Sequence, residues 1–62
     1  MNAENVEIAV EVKKETEKAL LIFDGKIETW IPKSLINECH KEKDIITSVV
    51  IPEWFALDKE LI

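Results

Sequence analysis

Cys39 and His40 are the only conventional nucleophile and base in this chain of 62 residues, which contains one cysteine and one histidine. A catalytic cysteine usually takes its histidine from a separate segment that the fold brings alongside it. Adjacent residues do not meet this need, because their side chains point apart in a strand and lie about 100° apart in a helix. We therefore interpret the pair as an exposed loop pair, and the sequence predicts no catalytic residue.

His40 also lies in an acidic run with Glu38, Glu42 and Asp44, which has the composition of a weak divalent-metal site. Lysines interrupt this run. Calcium loops need a denser set of oxygen ligands and usually a glycine at the bend, and structural zinc sites need four ligands. The sequence therefore predicts no metal site and no cofactor.

Glu15 and Glu17 lie near Asp24 and form a second acidic group, which could hold magnesium for phosphodiester chemistry. Carboxylates on turns are common in acidic hairpins, so a nuclease stays a minor alternative. Gly25 is the only glycine, which excludes glycine-rich phosphate loops of the Walker or dinucleotide type. An enzymatic function is an open alternative that the sequence disfavours.

Trp30, with Lys26 and Lys33 nearby in sequence, forms a candidate binding surface for single-stranded nucleic acid. Bases stack on such aromatic side chains, and each stacked base contributes roughly 1–3 kcal/mol. The alternative, which we favour, is that Trp30 packs under a C-terminal helix or in a dimer interface.

The charge of the chain disfavours nucleic acid and favours a basic protein partner. The 13 acidic residues outnumber the 8 basic ones, the net charge is −5, and every basic residue is a lysine. Phosphate backbones favour basic surfaces, and arginine makes the usual bidentate contacts to bases. An alternative of equal weight is that the charge serves solubility alone.

The sequence also predicts the cellular location of the protein. No apolar run approaches the roughly 20 residues of a membrane span, and residues 1–5 are too polar for a signal peptide. A lone thiol without a secretion signal fits a reducing compartment. We therefore expect a cytoplasmic protein without a membrane partner.

Hydrophobic patterns predict three strands directly. Apolar residues alternate with polar ones over 6–12, which is typical of a strand with one buried face. The stretch 19–23 is apolar throughout and predicts a strand that is covered on both faces. The β-branched run 45–51 predicts the last strand of the chain.

Asp24-Gly25 predicts a two-residue type I′ hairpin, because this dipeptide supplies the positive φ angles that the turn requires. The chain then returns as a further strand over 26–31, which ends at Pro32 because proline cannot donate to a sheet. One face of this strand is expected to carry Ile27, Thr29 and Ile31.

After Pro32 the sequence predicts a short turn at Ser34 and an exposed loop over 37–44. Pro52 then starts a C-terminal helix, because proline fits the first helical position. The predicted buried face of this helix consists of Trp54, Leu57 and Leu61, with Phe55 and Ile62 beside it. Ala56 is expected on the opposite side, and Asp58 falls within the apolar arc.

These elements predict one domain over residues 1–62 with an α+β fold, a four-stranded antiparallel and strongly curved sheet followed by one C-terminal helix. One short helix covers one sheet face, whereas two strands are apolar on both faces. The sheet therefore either curls into a barrel or meets a second subunit. A core of this size is also marginal without a disulfide or metal, so a homodimer is expected. Its helix–sheet or dimer contacts would use Trp54, Phe55, Leu57 and Leu61.

Residues 16–62 resemble a type of small protein that is common in phage and prophage genomes. The motifs that carry the resemblance are Glu17-Lys18-Ala19, Asp24-Gly25, Trp30-Ile31-Pro32-Lys33-Ser34 and Pro52-Glu53-Trp54-Phe55-Ala56. They mark a family and carry no known chemistry. The resemblance implies a phage-encoded accessory protein that binds and modulates a host or defence protein in a bacterial cytoplasm, with an anti-CRISPR inhibitor as the sharpest version.

The predicted order of four strands and a helix is also similar to the positive-cofactor-four type of single-stranded-DNA-binding fold, a plan used by at least one anti-CRISPR protein type. This likeness implies a single-stranded nucleic-acid-binding module or a DNA-nicking protein as the alternative function. The acidic charge of −5 departs from the basic surface that such binders show.

Overall fold

A computed structural model describes residues 4–62 of the chain. Within this range the chain forms six β-strands, one 3₁₀ turn and one short α-helix. In chain order these elements are β1 (Asn5–Ala9), β2 (Glu11–Glu15), β3 (Ala19–Phe23), β4 (Glu28–Pro32), the 3₁₀ turn (Lys33–Leu35), β5 (Glu38–Glu42), β6 (Ile45–Pro52) and α1 (Glu53–Asp58).

The strands build two three-stranded antiparallel sheets, in the orders β1-β6-β5 and β2-β3-β4. The fold is therefore mainly β with one C-terminal helix. The prediction of a single four-stranded, barrel-like sheet is wrong, because six strands form two sheets that do not close. In the described part of the chain, no helix has the length and apolarity that a membrane span needs.

The predicted strand over 6–12 divides at Val10 into β1 and β2, which belong to different sheets. β1 pairs with β6 and β2 pairs with β3, while the Val10 N–H donates to the carbonyl of Thr47 at 3.0 Å. The apolar residues on both sides of Val10 pack against one shared core. Because the alternation continues through the break, the hydrophobic pattern gave no sign that the strand changes sheets.

The predicted exposed loop over 37–44 is wrong, because most of it is the edge strand β5. All five residues of β5 are exposed, so the strand lacks the hydrophobic alternation that marks a half-buried strand. Pairing with β6 on one side places it at the sheet edge. Charged residues are typical of such edges, since they discourage pairing with another chain.

A type I′ hairpin occurs at Lys43-Asp44, between β5 and β6. Both residues have positive φ, 52° and 67°, as this turn requires. In the β3–β4 connection, a 3.2 Å backbone hydrogen bond from the N–H of Asp24 closes a loop whose central residues are Gly25 and Lys26. Only Gly25 has positive φ, 106°, whereas a type I′ turn requires positive φ at both central residues. The hairpin prediction is confirmed, but its turn type is wrong.

The core lies between the two sheets and beneath the helix. Its buried side chains are Ile8, Val49 and Ile51 from one sheet, Leu20, Ile22 and Ile31 from the other, and Phe55, Ala56 and Leu61 from the C-terminal segment. The predicted inner face of β4 is confirmed, because Ile31 is buried and Thr29 half-buried. Each sheet covers the inner face of the other. The outer side of β3, where Leu21 and Phe23 are half-buried, is not covered by the second sheet, so the expected covering of 19–23 on both faces is wrong within this chain.

Helix α1 begins at Glu53, and Pro52 is its N-cap rather than its first residue. Phe55 and Ala56 are buried, whereas Trp54 and Leu57 are 57% and 56% exposed. The predicted buried face of Trp54 and Leu57 is therefore wrong, as is the expectation that Ala56 points away. The helix packs on β1 and β6 through Phe55 and Ala56.

Leu61 reaches the core because the helix ends in a Schellman motif. The Leu61 N–H donates to the carbonyl of Ala56 at 2.8 Å, and the Glu60 N–H donates to that of Leu57 at 3.1 Å. Glu60 has a φ of 61°, which reverses the chain and returns Leu61 to the core at 8% exposure. Asp58 is exposed in this arrangement, although helical periodicity placed it within the apolar arc.

Candidate binding surfaces

The structure separates the three residues of the predicted nucleic-acid surface. Trp30 lies on the outer side of the β2-β3-β4 sheet with 43% of its surface exposed. Lys26 lies in the turn before β4, and Lys33 follows β4 at its other end. The Lys33 Nζ donates to Glu15 Oε2 at 2.5 Å. Since Glu15 pairs with the buried Leu20, this contact lies on the inner side of the sheet, away from Trp30.

Trp30 instead belongs to an aromatic face, which we define as Leu21, Phe23 and Trp30 on the outer side of the β2-β3-β4 sheet. Leu21 pairs with Trp30 on one side and with Lys14 on the other. The Lys13 Nζ lies 5.3 Å from the centroid of the Phe23 ring, within the range of a cation–π contact. The face thus combines two aromatic rings with two lysines.

The opposite sheet carries an acidic face, defined as Glu7, Glu38, His40 and Glu42 on the outer side of the β1-β6-β5 sheet. Successive side chains of a strand point to opposite sides, so β5 places Glu38, His40 and Glu42 outward. β1 places Glu7 outward because its neighbour Ile8 is buried. No lysine in the described strands shares this side of the sheet.

One hydrogen bond holds Glu7 of the acidic face in place. The Ser48 Oγ donates to Glu7 Oε2 at 2.7 Å, and Ser48 is 8% exposed. The His40 Nε2 lies 3.5 Å from Glu7 Oε2 and 3.7 Å from Glu38 Oε1. Val50 pairs with both glutamates and lies half-buried between them. The result is a sheet surface on which Glu7 is fixed by Ser48 and the half-buried Val50 forms an apolar centre.

A pocket of about 270 Å³ opens where the inner sides of the two sheets meet at one end of the fold; we call it the end pocket. Its lining is Glu15, Leu20, Lys33, Ile36, Cys39, Lys41 and Ile46. The hydrogen bond from Lys33 holds the pKa of Glu15 below its usual value, and the positive charges of Lys33 and Lys41 lower it further. Glu15 is therefore ionised at neutral pH.

The structure does not assemble a catalytic or metal centre from the residues that the sequence singled out. Cys39 lines the end pocket, whereas His40 lies on the acidic face on the other side of the same strand. Glu15 and Asp24 lie at opposite ends of β3, about 13 Å apart along the strand. Among residues 4–62, no group of three or more His, Cys, Asp or Glu side chains is arranged to hold a metal ion.

Asp24 serves the hairpin instead. Its Oδ1 accepts hydrogen bonds from the N–H groups of Ile27 at 2.9 Å and Lys26 at 2.8 Å. These two bonds hold the pKa of Asp24 below its usual value, and the bond from Ile27 has the larger effect. A short acidic side chain at this position is typical of an Asx turn, in which the carboxylate replaces a backbone acceptor.

The four helix residues named as packing candidates divide between core and surface. Phe55 and Leu61 belong to the core. Trp54 and Leu57 lie one helical turn apart on the outer side of α1, which is the spacing at which helical side chains are neighbours. We call this pair the helix face, and it is one of the most exposed apolar features among the described residues.

Sequence reasoning missed the acidic face and the end pocket because it assigned 37–44 to a loop. The signal was present in the alternation over 38–42, where glutamates and His40 occupy every second position and Cys39 and Lys41 occupy the positions between them. No protein-family model matches the chain, and comparisons with curated proteins and with solved structures found no match.

Proposed function

We propose that the protein is a non-enzymatic binding protein whose acidic face contacts a basic region of a partner protein. The observation that carries this proposal is the separation of charge on the β1-β6-β5 sheet. Glu7, Glu38 and Glu42 share its outer side, and no lysine of the described strands lies with them. Complementary charge steers the encounter and fixes orientation, and the half-buried Val50 supplies an apolar contact at the centre.

The resemblance to small phage and prophage proteins supports a narrower version of this proposal. The protein then acts in a bacterial host cytoplasm as an accessory protein that modulates a host or defence protein, with an anti-CRISPR-like inhibitor as the sharpest case. Defence nucleases bind nucleic acid through basic channels, and an acidic protein surface competes for such a channel. The net charge of −5 acts in the same direction.

Affinity capture from a bacterial host lysate tests the proposal with two charge-matched variants. Glu7→Lys/Glu38→Lys reverses two charges of the acidic face. Glu11→Lys/Glu28→Lys reverses two charges beside Phe23 on the other sheet. The unsubstituted protein, called the parent, and the Glu11→Lys/Glu28→Lys variant should capture a specific partner. The Glu7→Lys/Glu38→Lys variant should not. Equal capture by both variants, or no specific partner in repeated captures, contradicts the proposal.

A homodimer through the helix face is the second part of the proposal. Trp54 and Leu57 expose more than half of their surfaces, and a small core gains stability when a second copy covers such residues. Sedimentation at micromolar concentration should show a dimer for the parent and a monomer for Trp54→Ser/Leu57→Ser. The matched control is Trp30→Ser/Ile45→Ser, which should remain dimeric. A monomeric parent rules the dimer out.

Single-stranded nucleic-acid binding is the alternative function, and the exposure of Trp30 is the observation that favours it. Bases would stack on Trp30 and Phe23 while Lys13 and Lys14 neutralise phosphates. Fluorescence anisotropy of a labelled single-stranded DNA, titrated with salt, separates the two functions. Salt-sensitive binding that is lost with Trp30→Ala but kept with Trp54→Ala supports this alternative. No binding at low salt removes it.

A further inference from the structure

The end pocket has the construction of a small-ligand site, with an apolar floor and a charged rim. Leu20, Ile36 and Ile46 supply the floor, and they come from both sheets and the segment that joins them. The volume of about 270 Å³ lies just below the range that is usual for ligand pockets, roughly 300–1,000 Å³. A ligand with a short hydrocarbon body fits this space.

The rim determines the charge of that ligand. Lys33 and Lys41 face a single carboxylate, Glu15, so the rim has an excess of one positive charge in a chain whose net charge is −5. Lys33 is engaged by Glu15 at 2.5 Å. Lys41, in contrast, makes no ion pair with any residue in the range 4–62. Its ammonium group is available to an anion at the mouth of the pocket.

The fold of β6 explains why the apolar floor and the charged rim meet at the end pocket. A bulge in β6 between Ile46 and Ser48 shifts the register against β5, which keeps Ile46 on the inner side beside Cys39 and Lys41. Of the three floor residues, Leu20 belongs to the core at 3% exposure, whereas Ile36 and Ile46 are half-buried and keep part of their apolar surface in contact with water. Burial of this remaining apolar surface by a ligand is favourable.

We propose that the end pocket binds a small amphipathic carboxylate, whose hydrocarbon chain lies on Leu20, Ile36 and Ile46 and whose carboxylate lies beside Lys41. This site is separate from the acidic face, because β5 directs Lys41 inward and Glu42 outward. Octanoate is a suitable probe, since it carries one negative charge on a short saturated chain. Octylamine has the same chain with the opposite charge, and octanol has no charge.

Cys39 lines the same pocket and is the only cysteine, so its alkylation by iodoacetamide reports occupancy directly. Octanoate should slow this alkylation in a saturable manner, whereas octylamine should not and octanol should do so only at higher concentration. Lys41→Gln should weaken the effect of octanoate roughly threefold, as expected for one partly exposed ion contact. Lys43→Gln, which removes a charge from the neighbouring turn, should leave it unchanged.

The outcomes separate the proposal from simple hydrophobic adsorption. Protection of Cys39 by octanoate that depends on Lys41 and not on Lys43 supports the site. Equal protection by all three probes, or protection that is the same in the Lys41→Gln and Lys43→Gln variants, overturns it. Both lysines are exposed, so neither substitution should disturb folding, and circular dichroism of each variant verifies this.

Discussion

Ser48 donates a 2.7 Å hydrogen bond from its Oγ to Glu7 Oε2, which links the centre of β6 to the acidic face on β1. Ser48 is the one buried polar side chain among the described residues, and this carboxylate is its partner. The contact therefore serves two purposes, since it satisfies the hydroxyl and fixes the direction of Glu7. It is the point at which the packing of the sheet determines the geometry of the proposed binding surface.

Replacement of Ser48 by alanine should lower the free energy of unfolding by about 1.5 kcal/mol, the lower end of the range for a hydrogen bond to a charged group, because the Glu7 side chain is 57% exposed. Chemical denaturation measures the effect. Ser34→Ala is the matched control, because Ser34 is exposed, and it should change stability by less than half as much. Equal effects of the two substitutions would show that the Ser48–Glu7 bond contributes nothing specific.

Glu60 occupies the C′ position of the Schellman motif with a φ of 61°, a conformation that glycine adopts without steric cost. Glu60→Gly should therefore stabilise the protein by about 1 kcal/mol. Glu60→Ala retains the β-carbon and the strain, so it should give no comparable gain. The midpoint of thermal unfolding, measured for both variants, distinguishes relief of backbone strain from loss of a negative charge.

Stability should decrease in acid because of Glu15 and Asp24. Hydrogen bonds from Lys33 to Glu15, and from the backbone N–H groups of Ile27 and Lys26 to Asp24, lower the pKa of each carboxyl in the folded state. The unfolded chain therefore binds protons first. The stabilisation is complete above about pH 5, where the unfolded carboxyls are also ionised, and is lost as the pH falls through the lowered pKa values of the folded state.

Urea denaturation at several pH values below about 5, compared with pH 7, measures the loss of stability. Asp24→Asn keeps an oxygen that accepts the same backbone hydrogen bonds but does not titrate, so its stability should vary less with pH than that of the parent. Glu17→Gln is the control, because the side chain of Glu17 makes no hydrogen bond with a described residue, and it should keep the full acid sensitivity. An Asp24→Asn variant as acid-sensitive as the parent would refute this explanation.

Much of the inner half of the fold could be predicted from the sequence, because burial imposes a period of two on strands. The inner face of β4 follows from this rule. The strands β3 and β6 follow from continuous apolar and β-branched runs, and the hairpin near Gly25 follows from the Asp-Gly dipeptide. The outer half could not be predicted in the same way. β5 is exposed throughout, so no hydrophobic pattern marks it, and its turn uses Lys43-Asp44 instead of the more usual Asn-Gly.

The C-terminal segment shows a second limit of sequence patterns. Helical periodicity groups Trp54, Leu57 and Leu61 on one face, but α1 ends at Asp58 and the chain reverses at Glu60. Leu61 is therefore buried by the reversal and not by the helix. The acidic face depends on β5, so it could not be predicted once that strand was assigned to a loop. The alternation places Trp30 on the face of β4 opposite Ile31, but the sequence analysis favoured its packing under the helix or in a dimer interface, whereas the side chain is 43% exposed.

The central claim is that the acidic face contacts a basic partner protein, and its most direct test is the dissociation constant of the captured partner measured against salt. The parent should bind more weakly as salt rises, because exposed charges are screened. Glu7→Lys/Glu38→Lys should weaken binding at least tenfold at low salt and reduce the salt dependence, whereas Glu11→Lys/Glu28→Lys should weaken it much less. Equal weakening by the two variants would show that only net charge matters and would contradict the assignment of the acidic face.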